Sequence, residues 1–231
     1  MSSARDELSQ FDISNEEKDK LVGEVIRCIL FKTTQNNGCP IKREELTQIV
    51  TKKSYRQKNL PAFVINEAKS KLSSIFGYEL RELQRSRPSS ATQKTRVGSS
   101  QQSGADAKSY VIISQLPADV YKKYVENDET SHVTGFTFVV LGIIHLAGGK
   151  ITEDNLWHHL RRLGLGENED KLALEALVQQ RYLQKDKVSG PEGYTLFYEF
   201  AERALDEAVN RRIKEYVMEI VQKDASPRDA D

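Results

Sequence analysis

Four histidines, two cysteines and a Gly-Gly-Lys run are the residues of this chain whose types could carry catalysis. His158 and His159 stand side by side next to Trp157. A metal-binding helix needs histidines four residues apart with a glutamate between them, so that both face one side. Adjacent histidines do not meet that need, and two surface or interface histidines are expected. His132 and His145 have no partner evident in the sequence. Gly148-Gly149-Lys150 is like the end of a phosphate loop, but Ile144 stands where its first glycine belongs and Ile151 follows the lysine instead of Ser or Thr. Cys28 and Cys39 are too few for a disulfide framework, a cysteine-rich zinc site or a RING ligase. Cys28 falls on an apolar helical face, which fits a small core residue in a reducing compartment. With no G-x-S-x-G run either, no catalytic residue, metal or cofactor is expected.

The elements are easier to read than any chemistry. Ser14-Asn15-Glu16-Glu17 is a capping box, followed at helical spacing by Leu21, Val22, Val25, Ile26, Ile29 and Leu30. A short extended piece at Cys39–Ile41, a helix at Lys42–Thr51 and a third helix from Leu60 to Gly77 come next. Strands are expected at Tyr78–Leu83 and Tyr110–Ser114. Residues 84–109 between them hold Val97 as their only large aliphatic and no aromatic before Tyr110. They are expected to be a disordered basic insertion. After a short helix at Pro117–Glu126 the order recurs: an apolar helix at Thr134–Ala147, a strand at Lys150-Ile151, helices from Thr152 and Asn168, strands at Tyr182–Lys187 and Tyr194–Phe200, and a last helix at Glu202–Gln222. Ile41–Leu46 and Ile151–Leu156 echo each other 110 residues apart. Each places an isoleucine in the strand and acids in the first helical turn, where the helix dipole favours them.

This order implies a mainly α chain with small β wings, as tandem winged-helix domains. The boundaries expected are a flexible tail at 1–13, a first winged helix at 14–116, a connector at 117–133, a second winged helix with its closing helix at 134–222, and a tail at 223–231. The N-terminus is charged and lacks the apolar core of a signal peptide. The run Phe136–Ala147 is too short to cross a bilayer.

The 231 residues are 38% apolar and 29% charged, with formal net charge zero, so no global field favours a polyanion. Lys42–Lys108 nevertheless holds 14 Lys/Arg against 6 Asp/Glu. A winged helix meets DNA with its third helix and wing. Lys52, Lys53, Arg56 and Lys58 precede the first such helix, with Tyr55 among them. Arg161, Arg162, Arg181, Lys185 and Lys187 form a second cluster. No base-reading pattern accompanies them, so the binding expected is non-specific and salt-sensitive. The bland alternative is a solvated surface on domains that bind only proteins.

Several segments, in order, resemble the MAGE homology domain. They are Leu21-Val22 with Ile29–Lys32, PIKREEL at Pro40–Leu46, FGYELREL at Phe76–Leu83, SYVIISQL at Ser109–Leu116, VVLGIIHLAGGKITEDNLWHHLRRLGL at Val139–Leu165, and LVQQRYL at Leu177–Leu183. The chain is most similar to the family's ancestral branch, the MAGE-like subunit of the SMC five–six complex. It departs from the family after the second wing: YTLFYEFAERA at Tyr194–Ala204 keeps the aromatics and Arg203 but lacks the usual Trp-Gly-Pro.

The resemblance implies a non-catalytic adaptor in DNA repair and genome stability, located in the nucleus on chromatin. It implies contact with a RING-type ubiquitin-ligase subunit (non-SMC element one) through an apolar pair in the first helix, here Ile29 and Leu30. It implies a groove for a helix of the kleisin subunit (non-SMC element four), with Phe136, Val139, Val140, Ile143 and Trp157 as candidates in the second half. SMC chains would be met through the complex, and DNA non-specifically. Stimulation of ubiquitin transfer by the partner is a further implication. Two alternatives stand beside this: a MAGE adaptor of another RING ligase, and a winged-helix transcription regulator. The second needs a basic recognition helix, which Glu169, Asp170 and Glu175 oppose.

Overall fold

A computed structural model describes residues 11, 13–52, 59–83, 108–125, 128–190 and 193–225, and within these the side chains except at 128–133, 169 and 223–225. The chain divides into two compact units, Met1–Pro117 and Ala118–Asp231. The described residues form eight helices and two antiparallel three-stranded sheets, the fold of tandem winged helices.

In the first unit, helix α1 (Asn15–Gln35) opens on the expected capping box: the Glu17 N–H donates to Ser14 Oγ at 3.2 Å and the Ser14 N–H to Glu17 Oε2 at 2.9 Å. Strand β1 (Ile41–Lys42), helix α2 (Arg43–Thr51) and helix α3 (Leu60–Phe76) follow. Pro61 at the start of α3 needs no N–H partner there. Gly77 ends α3 in the left-handed conformation, φ +66°, which glycine adopts without a Cβ clash. Strands β2 (Tyr78–Leu83) and β3 (Ser109–Ser114) pair in register from Tyr78↔Ser114 to Leu83↔Ser109, and β1 joins the other side of β3. The core is Leu21, Val25, Ile29, Leu46, Val64, Leu72 and their neighbours from all three helices and the sheet. Burying each such side chain contributes about 1.5–3 kcal/mol. Phe11 packs on Phe63, ring centroids 5.3 Å apart, and so ties the entering chain to α3.

The second unit begins with the short helix α4 (Ala118–Tyr124), which buries none of its side chains. Helix α5 (Asp128–Leu146), strand β4 (Lys150–Thr152), helix α6 (Glu153–Arg162), helix α7 (Glu167–Gln179) and strands β5 (Leu183–Gly190) and β6 (Gly193–Phe200) repeat the winged-helix order, with β6 central in the sheet. Helix α8 (Glu207–Ala225) is added after it. Phe136, Val140, Leu141, Ile144, Leu156, Trp157, Leu160, Leu177 and Tyr198 form its core, joined by Ile213 from α8.

Three elements differ from expectation. Helix α5 starts at Asp128 instead of Thr134, because its polar first turns carry no apolar period to betray them. Helix α8 starts at Glu207 instead of Glu202. The chain after β6 stays bound to residues 181–182: the Ala201 N–H donates to Tyr182 O at 2.9 Å and the Arg203 N–H to Arg181 O at 3.0 Å. The second wing is longer than expected, with β5 and β6 pairing out to Gly190↔Gly193. The expected disordered insertion, apart from Lys108 and Ser109, lies outside the described residues.

Candidate docking surfaces

The end of α1 turns three consecutive apolar residues through three environments. Successive helical residues are rotated by about 100°, so Ile29, Leu30 and Phe31 cannot all face inward. Ile29 is completely enclosed, Leu30 is half-buried at the core's edge, and Phe31 is 61% exposed. Of the expected contact pair, Ile29 is therefore enclosed in the chain on its own and Leu30 is the accessible member. Ile29 holds α1 in the core while Leu30 and Phe31 form the accessible surface. The run of three apolar residues was the signal for Phe31. Close by, Lys32 of α1 forms an ion pair with Glu45 of α2, which fixes the end of α1.

The groove candidates of the second unit also separate. Phe136, Val140 and Trp157 are buried at 6%, 0% and 3% exposure and belong to the core. On α5, Phe136 and Val140 share with Ile144 the helical spacing that lines one face, while Trp157 joins the same core from α6. Val139 and Ile143 are half-buried and pack on the core from the side.

Of the basic candidates, Lys53, Arg56 and Lys58 lie outside the described residues, and Lys52 is exposed at the end of α2. Arg161 and Arg162 are exposed in the last turn of α6, where the helix dipole favours cations. Lys187 lies over the exposed Tyr194 ring, 3.8 Å from its centroid, on the second wing. Arg181 and Lys185 are committed within the fold. Arg181 adopts φ +65° and grips Glu202 with two nitrogens, at 2.7 and 3.0 Å. Bidentate geometry of this kind makes the stronger ion pairs. Arg203 has a structural role as well: it donates to Gln180 O at 3.2 Å and stacks on Tyr182 at 4.3 Å.

Lys185 joins a polar lock that the sequence did not reveal. Its Nζ lies 2.8 Å from Glu153 Oε1, and the hydroxyl of the buried Tyr198 donates to the same oxygen at 3.0 Å. Burial pushes the Glu153 carboxyl up, but the hydrogen bonds from Lys185 and Tyr198 outweigh it and hold the group below the usual carboxylate range. Burial alone would lower the Lys185 ammonium, and the Glu153 partner raises it instead. Burial raises the Tyr198 phenol. The lock ties α6 to both wing strands.

The His158 and His159 rings stand 5.6 Å apart, edge to face, both exposed; they lie closer than adjacent helical positions suggested. Among the described residues no cluster of His, Cys, Asp or Glu is placed to hold a metal. The Gly148 and Gly149 N–H groups donate to His145 O and Ile144 O, closing the end of α5 instead of cradling a phosphate. An open depression at the start of α7 is lined by Arg161 and Gly164–Asn168, but the Gly166 N–H is already bound to Asp170 Oδ2 at 2.8 Å. No described helix is long and apolar enough to cross a membrane.

A profile of the MAGE homology domain matches residues 25–211. The chain belongs to the MAGE family. Relatives of this MAGE chain include the non-structural maintenance of chromosomes element 3 homolog of Mus musculus, 26% identical over 90% of this chain and 68% of that protein. The Homo sapiens homolog is 25% identical over 94% of this chain and 65% of that protein, so the MAGE chain spans about two thirds of their length. Human melanoma-associated antigen 8 is 22% identical over 87% of the chain. Among solved structures, a chain of an Nse1-Nse3-Nse4 complex superposes with a TM-score of 0.71 at 25% identity, covering 91% of this chain and 93% of that one.

Proposed function

We propose that this MAGE chain is the non-SMC element three subunit of an SMC five–six complex, a non-catalytic adaptor in DNA repair on nuclear chromatin. The observation that carries the reading is the likeness to a chain of an Nse1-Nse3-Nse4 complex over nearly the whole of both chains. By analogy with that assembly, the chain binds a RING subunit (non-SMC element one) and a kleisin (non-SMC element four), and reaches the SMC chains through them. The expected RING contact at Ile29–Leu30 extends to Phe31: Leu30 and Phe31 are its accessible side chains, an apolar surface of the kind that anchors protein interfaces. The kleisin helix binds the second unit beside Val139 and Ile143. Lys52, Arg161, Arg162 and Lys187 remain as phosphate contacts, with weak, salt-sensitive affinity and no sequence preference. The exposed acids Glu167 and Glu175 on α7, the position of a recognition helix, weigh against a transcription regulator.

The test is mass spectrometry of proteins that co-purify with the chain from nuclear extract, beside the variant carrying Leu30→Ala and Phe31→Ala. The expected set is a RING subunit, a kleisin and two SMC chains, with the RING subunit selectively lost from the variant. A RING ligase recovered without SMC chains would overturn the complex assignment and favour the other branch of the family.

A further inference from the structure

The winged-helix order of the second unit is complete at β6, yet α8 follows and covers the side of α5 that faces away from the sheet. Gly142 is buried beneath it: a Cβ there would lie 3.6 Å from Val217 Cγ2 and 3.9 Å from the Tyr216 ring. One turn earlier the Phe138 ring meets Tyr216 at 6.0 Å between centroids, and the Arg212 guanidinium sits 5.0 Å over the same Phe138. Val139 is a half-buried neighbour one turn from Gly142. Toward this surface α8 offers Val209, Ile213, Tyr216 and Val217. This is the i, i+4, i+7, i+8 pattern by which an amphipathic helix enters a groove.

The grip of α8 centres on one residue. Of these residues Ile213 alone is fully buried, and Met218, Ile220 and Val221 in the following turns are exposed. The Arg181–Glu202 pair and the backbone bonds of Ala201 and Arg203 anchor the chain just before the helix. The sheet's own contacts to residues 201–203 thus do not depend on α8.

We propose that α8 is an intramolecular stand-in for the partner helix. It occupies the groove on α5 until an amphipathic helix of similar pattern displaces it. The partner is the kleisin helix of the reading above, on which this proposal rests. Apparent affinity is then the intrinsic affinity reduced by the fraction of molecules with α8 detached. Kleisin capture is thereby tunable by anything that loosens or holds α8.

The test uses the full chain carrying Gly142→Cys and Val217→Cys, chosen to cross-link α5 and α8 because a Cβ at 142 lies 3.6 Å from Val217 Cγ2. Oxidised wild type controls for Cys28 and Cys39. The probes are a fluorescent peptide of sequence Glu207–Ala225 and a kleisin helix peptide. The reduced variant is expected to bind the α8 peptide, with the kleisin peptide competing for the same place. The oxidised variant is expected to lose both by about tenfold or more. Independently, Ile213→Ala, which loosens α8, is expected to raise affinity for the kleisin peptide several-fold in the otherwise wild-type chain.

Kleisin binding that is equal in oxidised and reduced chains, or unchanged by Ile213→Ala, overturns displacement and leaves the kleisin reading standing. Failure of the reduced chain to exchange the α8 peptide shows a fixed helix and also overturns it. Exchange of the α8 peptide with no kleisin binding in either form supports a displaceable α8 and refutes the kleisin partner.

Discussion

The first helix of each winged helix meets a different fate. Helix α1 ends with Phe31 in solvent and Leu30 at the surface, and a Cβ on its outward Gly23 would meet nothing within 4 Å. Helix α5 instead has one side closed by α8, with Gly142 buried under Val217 and Tyr216. The same framework thus carries one open apolar site and one closed by the chain itself. On the proposals above, a partner for the first needs only to arrive, whereas a partner for the second displaces α8. A shared fold thus leaves one surface open and another covered, and the added helix makes the difference.

The largest expected effect separates core from surface within α1. Ile29→Ala empties an enclosed site and should cost about 2–5 kcal/mol. Phe31→Ala should stay within about 0.5 kcal/mol, and urea denaturation of the two variants measures the gap. Equal losses would mean that Phe31 packs as Ile29 does and that α1 presents no open site.

Breaking the polar lock of the second wing comes next. Glu153→Gln should cost about 1–3 kcal/mol by weakening two hydrogen bonds to one buried-edge carboxylate. The folded carboxyl lies below its ordinary value of 4.5. Its stabilisation is thus present above that value and fades as pH falls through the lowered folded value. Thermal melts of wild type should lose this increment on acidification, and Glu153→Gln should flatten that part of the profile. A variant with an unchanged acid slope would remove the lock from the account of the wing.

The two glycines give the smallest effect and the sharpest contrast. Gly23→Ala in open helix should stabilise the first unit by about 0.5–1 kcal/mol. Gly142→Leu should instead push against Val217 and raise hydrogen exchange in α8. Matching behaviour at the two positions would erase the distinction between open and closed sites.

Much of this fold was legible in local patterns. The capping box at Ser14–Glu17 and the stop at Gly77 each have a cause within a few residues. Family likeness pointed to the end of α1, although neighbour spacing alone showed that Ile29 and Leu30 could not share one environment. What escaped depends on distant partners. The start of α8 is delayed by backbone bonds to residues 181–182, and Arg181 and Lys185 look like free cations until Glu202 and Glu153 are placed beside them. The covering of Gly142 likewise follows from two helices separated in sequence by a strand, two further helices and a wing.

The adaptor reading is tested most directly by mixing the full chain with a RING subunit and a kleisin and measuring mass by light scattering after size exclusion. A single three-chain species is predicted, with Leu30→Ala and Phe31→Ala together releasing the RING subunit while the kleisin stays bound. Separate elution of all three wild-type chains would contradict it.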